Sequence, residues 1–363
     1  MIFIARCVHG LEWVCADEIA STLPATDLAL CRREVTFSLP SLDPGRPALG
    51  TVDDVFRRVG SVENVGTTKD AVPALAKRLA ELDWSGVRAG ARFDVVASLE
   101  GRRTYNRSAV EAAAGATLAP VLRGTFLDRT AARDTDLTVR LFLRGSSVIA
   151  ALRLGTRPLH RRAYKQDTGP GTLHPPVAAA LARIARPEPG DVVLDPFCGD
   201  GTVAIETALA YPQARVVATD LDPARLANAA ANARRAGVEL SLAVADAGRG
   251  AAGTADVVLT NPPWNLAVDA AGSLAGSLDR FWTALLAGGG RLCAVTDAGL
   301  DVPATLDRRG FVAGLATQVR LAGRVSHLLL YGPPGNPAPA LPESLASWRA
   351  QAIANGVVTE RGF

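Results

Sequence analysis

From residue 191 onward the chain repeats one unit: a short apolar run, a turn, then an amphipathic stretch. The apolar runs fall at 191–194, 215–219, 239–244, 255–259 and 291–295. The stretches between them predict helices over 202–209, 223–236 and 277–286. Strands that are apolar throughout, rather than on alternate residues, are buried on both faces. Their alternation with helices predicts a mostly parallel sheet covered on both sides. The pattern then changes. Residues 312–320 and 325–331 flank Ala322-Gly323 and read as an antiparallel hairpin.

Two turns in this sheet carry chemistry. The first strand runs into Asp195-Pro196-Phe197-Cys198-Gly199-Asp200-Gly201-Thr202, a glycine turn that opens a helix. A doubly wound sheet binds nucleoside ligands at such a point. Gly199, Gly201 and Ala204 fit the dinucleotide spacing, and Asp220 follows about twenty residues on, as an acceptor for ribose hydroxyls. A hydride-transferring enzyme and a methyltransferase both use this arrangement, and Asp220 could instead cap the next helix. Asp195 separates the two enzymes. A carboxylate beside the glycines repels a pyrophosphate but suits a donor with a free α-amino group.

The second turn is Asn261-Pro262-Pro263-Trp264, at the end of the fourth apolar strand. It signals methylation of an exocyclic amine on a base. Such an amine has its lone pair delocalised into the ring and is a poor nucleophile. The Asn261 side-chain oxygen and the Pro262 carbonyl can accept both amine hydrogens and favour the charge that develops. Trp264 can stack on the base, which must leave any helix it occupies. The plainer reading is a Pro-Pro turn beside a core tryptophan, and it leaves the strand position and the glycine turn unexplained.

The front of the chain differs in kind. Strand-like and helical pieces alternate, and the helix over 71–82 carries Val72, Leu75, Leu79 and Leu82 on one face. A second helix is expected over 106–122, and strands over 137–144 and 147–154 with a Gly145-Ser146 turn. The last twenty residues read as a loosely attached helix behind a proline-rich tail. The net charge of +3 hides an asymmetry: residues 1–165 hold 24 basic against 18 acidic groups, and 166–363 hold 15 against 18. Residues 101–165 alone hold 13 basic and 4 acidic groups. Arg102, Arg103, Arg107, Arg153, Arg157, Arg161, Arg162 and Lys165 are the candidate phosphate ligands. Few aromatics accompany them, which favours recognition of RNA shape and ends over a single-strand stacking track.

These residues carry a family resemblance. Residues 166–331 resemble a class I S-adenosylmethionine-dependent methyltransferase with an amino-methylating motif. The whole chain is similar to the THUMP-domain RNA methyltransferases, in particular the tRNA guanine-N2 branch. The matching pieces are Gly10-Leu11-Glu12, Leu159-His160-Arg161-Arg162-Ala163-Tyr164, Leu173-His174-Pro175-Pro176, the 195–202 turn with Glu206, and Asn261 to Trp264. The chain departs from the family at Trp264-Asn265-Leu266, where Tyr or Phe followed by Gly is commoner, and at Ala163, where Gly is common.

The resemblance implies a Rossmann-like seven-stranded sheet with a final antiparallel hairpin, preceded by an α+β ferredoxin-like and THUMP module. It implies segments at 1–50, 51–165, 166–335 and 336–363. Asp195, Pro196, Phe197, Cys198, Gly199, Gly201 and Thr202 would hold the methionine part of S-adenosylmethionine. Asp220 and Leu221 would hold the ribose side, and Asp246 with Ala247 the adenine. Asn261, Pro262 and Trp264 would place the guanine amine, with Asn261 also beside the donor. RNA, with tRNA favoured, is the implied partner.

The five cysteines form no Cys-x-x-Cys pair and the four histidines have no metal spacing, so neither a disulfide framework nor a metal is expected. A pyrimidine-carbon methylase would use a cysteine nucleophile, but Cys198 lies in the donor turn. The start lacks a signal-peptide pattern and no membrane span is expected, so a cytoplasmic protein is the reading. A monomer is the favoured form. The competing readings are guanine-N2 methylation of ribosomal RNA, adenine-N6 methylation, and an RNA-binding module with an inactive methyltransferase fold. Intact Asp195, Gly199, Gly201, Asp220 and Asn261 argue against decay.

Overall fold

The protein is described from a computed structural model covering residues 1–43, 49–128, 135–249, 255–264, 281 and 290–362. Two sheets organise it. The first contains β1 (Ile2–Arg6), β2 (Thr26–Cys31), β3 (Glu34–Ser38), β4 (Asp54–Val62), β5 (Arg92–Glu100), β6 (Thr125–Phe126), β7 (Leu137–Arg144) and β8 (Ser147–Arg153). Their order is β2-β3-β1-β4-β8-β7-β5-β6. The expected boundary at residue 50 lies between β3 and β4, and both of these strands pair with β1 in the one sheet. β4 escapes a period-two reading because its register shifts between Arg58 and Gly60, where a bulge breaks the alternation.

Helices cover one face of this sheet. α1 (Glu12–Thr22) packs over Phe3, Ala5, Val35 and Phe37, while α2 (Ala71–Ala80) and α3 (Arg107–Val121) cover Val95, Val139, Leu141 and Ala150. Asn106 starts α3 by accepting the Ala109 N–H. The opposite face carries a small cluster of Ile4, Phe56, Phe142 and Ala151. Guanidinium groups roof it: Arg6, Arg140 and Arg144 lie 5.1, 5.2 and 5.9 Å from the Phe142 ring centre.

The second sheet contains β9 (Val192–Asp195), β10 (Arg215–Asp220), β11 (Ser241–Val244), β12 (Val257–Thr260), β13 (Arg291–Asp297), β14 (Val312–Leu321) and β15 (Arg324–Gly332). Their order is β11-β10-β9-β12-β13-β15-β14. Strands β9 to β13 run parallel, and β15 runs antiparallel to both β13 and β14. The chain winds one way from β9 to β11 and the other way from β12, so the carboxyl ends of β9 and β12 flank the topological switch point. Around the sheet lie α4 (Pro175–Ala185), α5 (Thr202–Ala210), α6 (Pro223–Ala236) and α7 (Val302–Arg308). Asp222 caps α6 and Pro223 opens it, with Gly237 closing it at φ +70°. Of the helix expected over 277–286, only Phe281 lies within the described residues.

The two sheets share one continuous core that runs from Phe3 and Trp13 through Val177 and Leu181 to Val193 and Leu259. The tail belongs to this core, which corrects the expectation of loose attachment. α8 (Glu343–Ala354) packs on α1 with Leu345 1% and Ala352 0% exposed. The proline-rich segment before it is also seated, because a side chain on Gly314 would strike the Pro339 carbonyl. Sequence periodicity misses this docking because the large apolar residues Leu345, Trp348 and Ile353 do not form one marked stripe along the helix. Among the described residues no helix is long and apolar enough to cross a membrane.

Candidate active site

The switch point places Asp195 at the end of β9, 1% exposed. Its Oδ1 accepts from Thr260 Oγ1 at 3.0 Å, which ties β9 to the last residue of β12. Among the described residues its Oδ2 has no hydrogen-bond partner, and it is buried. Burial pushes the Asp195 carboxyl up to about 7, partly offset by the hydrogen bonds from Thr260 and Phe197. A buried carboxylate oxygen with nothing to accept from suits a cationic ligand group.

Beyond Asp195 the chain turns through Gly199 (φ +51°) and Gly201 (φ +85°), conformations that side chains rarely adopt. The Gly199 N–H donates to Asp220 Oδ2 at 2.8 Å, and the Asp222 N–H donates to Asp220 Oδ1 at 3.0 Å. Each oxygen keeps a second lone pair, so Asp220 still presents a two-acceptor edge at the end of β10. Leu221 and Val244 are 68% and 61% exposed, and they follow Asp220 and precede Asp246. Exposed apolar side chains at a strand's carboxyl end offer a face for a flat ring. Asp246 accepts from Gly248 N–H, and Ala247 is buried. Thr202 is buried with an unpartnered Oγ1. Phe197 meets Phe281 edge to face at 5.2 Å. Burial, with the Asp195 and Asp220 charges, pushes the Cys198 thiol far up, which suppresses the thiolate a nucleophile requires.

Asn261 follows β12 directly. Its Nδ2 donates to the Gly171 carbonyl at 3.5 Å, while Oδ1 is buried without a partner among the described residues. Trp264 is half-buried against the shared core, and its Nε1 is also unpartnered among the described residues. Asp195, Thr260 and Asn261 thus gather on adjacent strand ends, although 65 residues separate the first two in the chain.

Sequence reasoning missed Asp200, which sits between the two glycines and is 1% exposed. It accepts from Gly169 N–H and Thr172 Oγ1 at 2.7 Å each and from Asn228 Nδ2 at 3.1 Å, and it pairs with Arg225 at 3.0 Å. Burial raises its carboxyl, but those hydrogen bonds and the Arg225 charge outweigh it and hold the group below its usual range. An aspartate inside a glycine turn was the available signal.

The basic residues divide into two groups. Arg102, Arg107, Arg157 and Arg161 are exposed. Arg107 is 51% exposed and lies 3.6 Å from Glu111 one turn along α3. The other expected phosphate ligands, Arg103, Arg153, Arg162 and Lys165, bond within the fold. Arg162 donates to Glu206 at 2.8 and 3.2 Å and to the Leu159 and Gly50 carbonyls, while Tyr164 donates to Glu206 at 2.6 Å. Arg153 pairs with Asp54 at 2.7 Å over the Phe56 ring. Arg103 bonds Tyr105 and the Gly145 carbonyl. Lys165 donates to the Leu173 carbonyl at 2.7 Å, and burial lowers its ammonium to about 8. His160 and His174 stand 5.3 Å apart at the junction, where His174 bonds Asp53 at 2.6 Å.

A parallel sheet with this switch-point crevice and this strand-end chemistry is that of a class I S-adenosylmethionine-dependent methyltransferase. Comparisons with known proteins agree. Residues 162–327 match the family model described as RMKL-like, methyltransferase domain. Over 302 residues the chain is 31% identical to the tRNA (guanine(6)-N2)-methyltransferase of Thermus thermophilus, covering 79% of this chain and 86% of that protein. The chain belongs to the family of that enzyme. The crystal structure of TrmN from Thermus thermophilus superposes with a TM-score of 0.77 at 26% identity, over 92% of this chain and 99% of the other. A tRNA (guanine(6)-N(2))-methyltransferase THUMP3 of Mus musculus is 36% identical over 97 residues, 27% of this chain and 19% of that protein.

Proposed function

We propose that this chain methylates the exocyclic N2 amine of a guanosine in tRNA. The observation that carries the reading is Asn261: a carboxamide at a switch-point strand end, its Oδ1 buried and free to accept. S-adenosylmethionine supplies the activated methyl group. Asp195 Oδ2 has the lone pairs for the donor's ammonium, and Pro196 and Phe197 carry the chain from it into the glycine turn. Gly199, Gly201, Cys198 and Thr202 let backbone approach the methionine part. Asp220 accepts from ribose hydroxyls, and Leu221, Asp246 and Ala247 border the adenine. Asn261 Oδ1 and the Pro262 carbonyl accept the two amine hydrogens, aiming the nitrogen lone pair along the transfer line and favouring its developing charge. Trp264 stacks on the flipped base. The amine proton then passes to water, so no side chain is required as general base.

Residues 1–165 form the RNA-holding module and 166–335 the catalytic one. Arg102, Arg107, Arg157 and Arg161 contact phosphates of the tRNA in this reading, and the protein acts in the cytoplasm. The test is incubation with unmodified tRNA and ribosomal RNA pools, followed by nucleoside mass spectrometry. N2-methylguanosine in the tRNA is the expected product. Methylation confined to ribosomal RNA, or N6-methyladenosine, would overturn the assignment.

A further inference from the structure

Residues 166–172 (Gln-Asp-Thr-Gly-Pro-Gly-Thr) lead from the basic run ending at Lys165 toward α4 and adopt no helix or strand. They are nonetheless held along their length. Asn232 on α6, 1% exposed, grips the start: its Oδ1 accepts from the Gln166 and Asp167 N–H groups, and its Nδ2 donates to the Asp167 carbonyl at 2.8 Å. Asp200 grips the end through Gly169 N–H and Thr172 Oγ1. Arg225 closes the arrangement, donating to the Pro170 carbonyl at 3.1 Å while paired with Asp200. The glycine turn and α6 therefore fasten this strap from below. The Gly171 carbonyl, set by a φ of +76°, meets Asn261 Nδ2.

We infer that Asp200 and Arg225 are positioning residues whose strap fixes the orientation of the Asn261 carboxamide. The inference rests on the N2-methylation reading. A carboxamide turned by half a rotation exchanges an acceptor for two donors. The guanine amine itself carries two N–H donors, so the turned form sets donor against donor and repels the substrate. An acceptor on the far side holds Nδ2 and leaves Oδ1 for the amine. The Gly171 carbonyl is that acceptor, and the strap places it. Asp200 lies between Gly199 and Gly201, so one buried carboxylate joins the donor turn to the group that aims the acceptor.

Asp200→Asn, Arg225→Met and Gly171→Ala test this in the full-length protein. The third acts through backbone strain at φ +76° and not through the buried cluster, because among the described residues nothing lies within 4 Å of an added Cβ there. Donor affinity is read by calorimetry, tRNA affinity by filter binding, and methyl transfer by single turnover with both saturating. Expected are binding constants within about threefold of wild type and a transfer rate roughly 10-fold lower or more, the scale of a misplaced reacting group. In an Asn261→Ala background the same changes should cost no further rate, because the group they orient is gone. Unchanged rates, or equal losses in both backgrounds, would overturn the inference. Wild-type protein that forms no N2-methylguanosine would instead overturn the functional reading and the inference with it.

Discussion

At the residue scale the site depends on two polar groups buried without partners among the described residues, Asp195 Oδ2 and Asn261 Oδ1. Leaving such atoms unpaired costs about 1–3 kcal/mol each, so a ligand that pairs them gains what folding gave up. Asn261→Ala should retain donor binding and lose turnover by roughly 10²-fold. Single-turnover assays check this, and unchanged turnover would remove the amine-positioning role. Asp195 predicts a pH dependence. Its folded pKa of about 7 lies above that of an unfolded aspartate. The folded, donor-free protein therefore binds this proton more tightly than the unfolded chain. Stability from this group is greatest in acid and is lost as pH rises through about 7. The donor's ammonium needs the ionised carboxylate, so donor affinity should fall about tenfold per unit below pH 7. Asp195→Asn should raise the melting temperature of the donor-free protein at pH 8 (roughly one unit above that pKa) and abolish the pH slope of binding. A wild-type affinity independent of pH would contradict the ammonium assignment.

At the element scale, most of the catalytic sheet was legible. The strands at 192–195, 215–220 and 257–260 lie within a residue or two of their apolar runs, because a fully buried strand leaves a continuous apolar signal. β4 and α7 were not legible. A bulge breaks β4, and α7 has seven residues, too few for a helical period to show. The tail was misread for a different reason. α8 is stable because α1 covers it, a fact that lies 330 residues away in sequence. Leu345→Ala should therefore cost about 2–4 kcal/mol in urea unfolding. A loss below about 0.5 kcal/mol, as at a surface site, would return the tail to its loosely attached reading.

At the scale of the whole molecule, the two sheets share a core, and a buried ion pair lies beside it. Arg162 is 14% and Glu206 4% exposed, with Gly50 and Tyr164 completing their hydrogen bonds. Arg162→Met leaves the Glu206 charge buried and should destabilise the protein by about 3–5 kcal/mol, measured by chemical unfolding. Arg157→Glu with Arg161→Glu should instead leave stability intact and weaken tRNA binding. The slope of log affinity against log salt should also drop by about 2, one unit per lost phosphate contact. An unchanged slope would place the phosphate contacts elsewhere. The two experiments separate arginines that composition alone could not.

The sequence by itself determined the parallel sheet, its glycine turn, the acidic strand ends and the Asn261-Pro262-Pro263-Trp264 turn. Each is local: a buried strand must be apolar, a tight turn needs positive φ, and a poor nucleophile needs acceptors beside it. Only the tertiary structure decided which arginines face water and that α8 is docked. It also decided that Asp200 and Asn232 fasten the strap over the glycine turn. Those outcomes depend on which distant groups meet in space, and a net charge of +3 or a hydrophobic period carries no information about that.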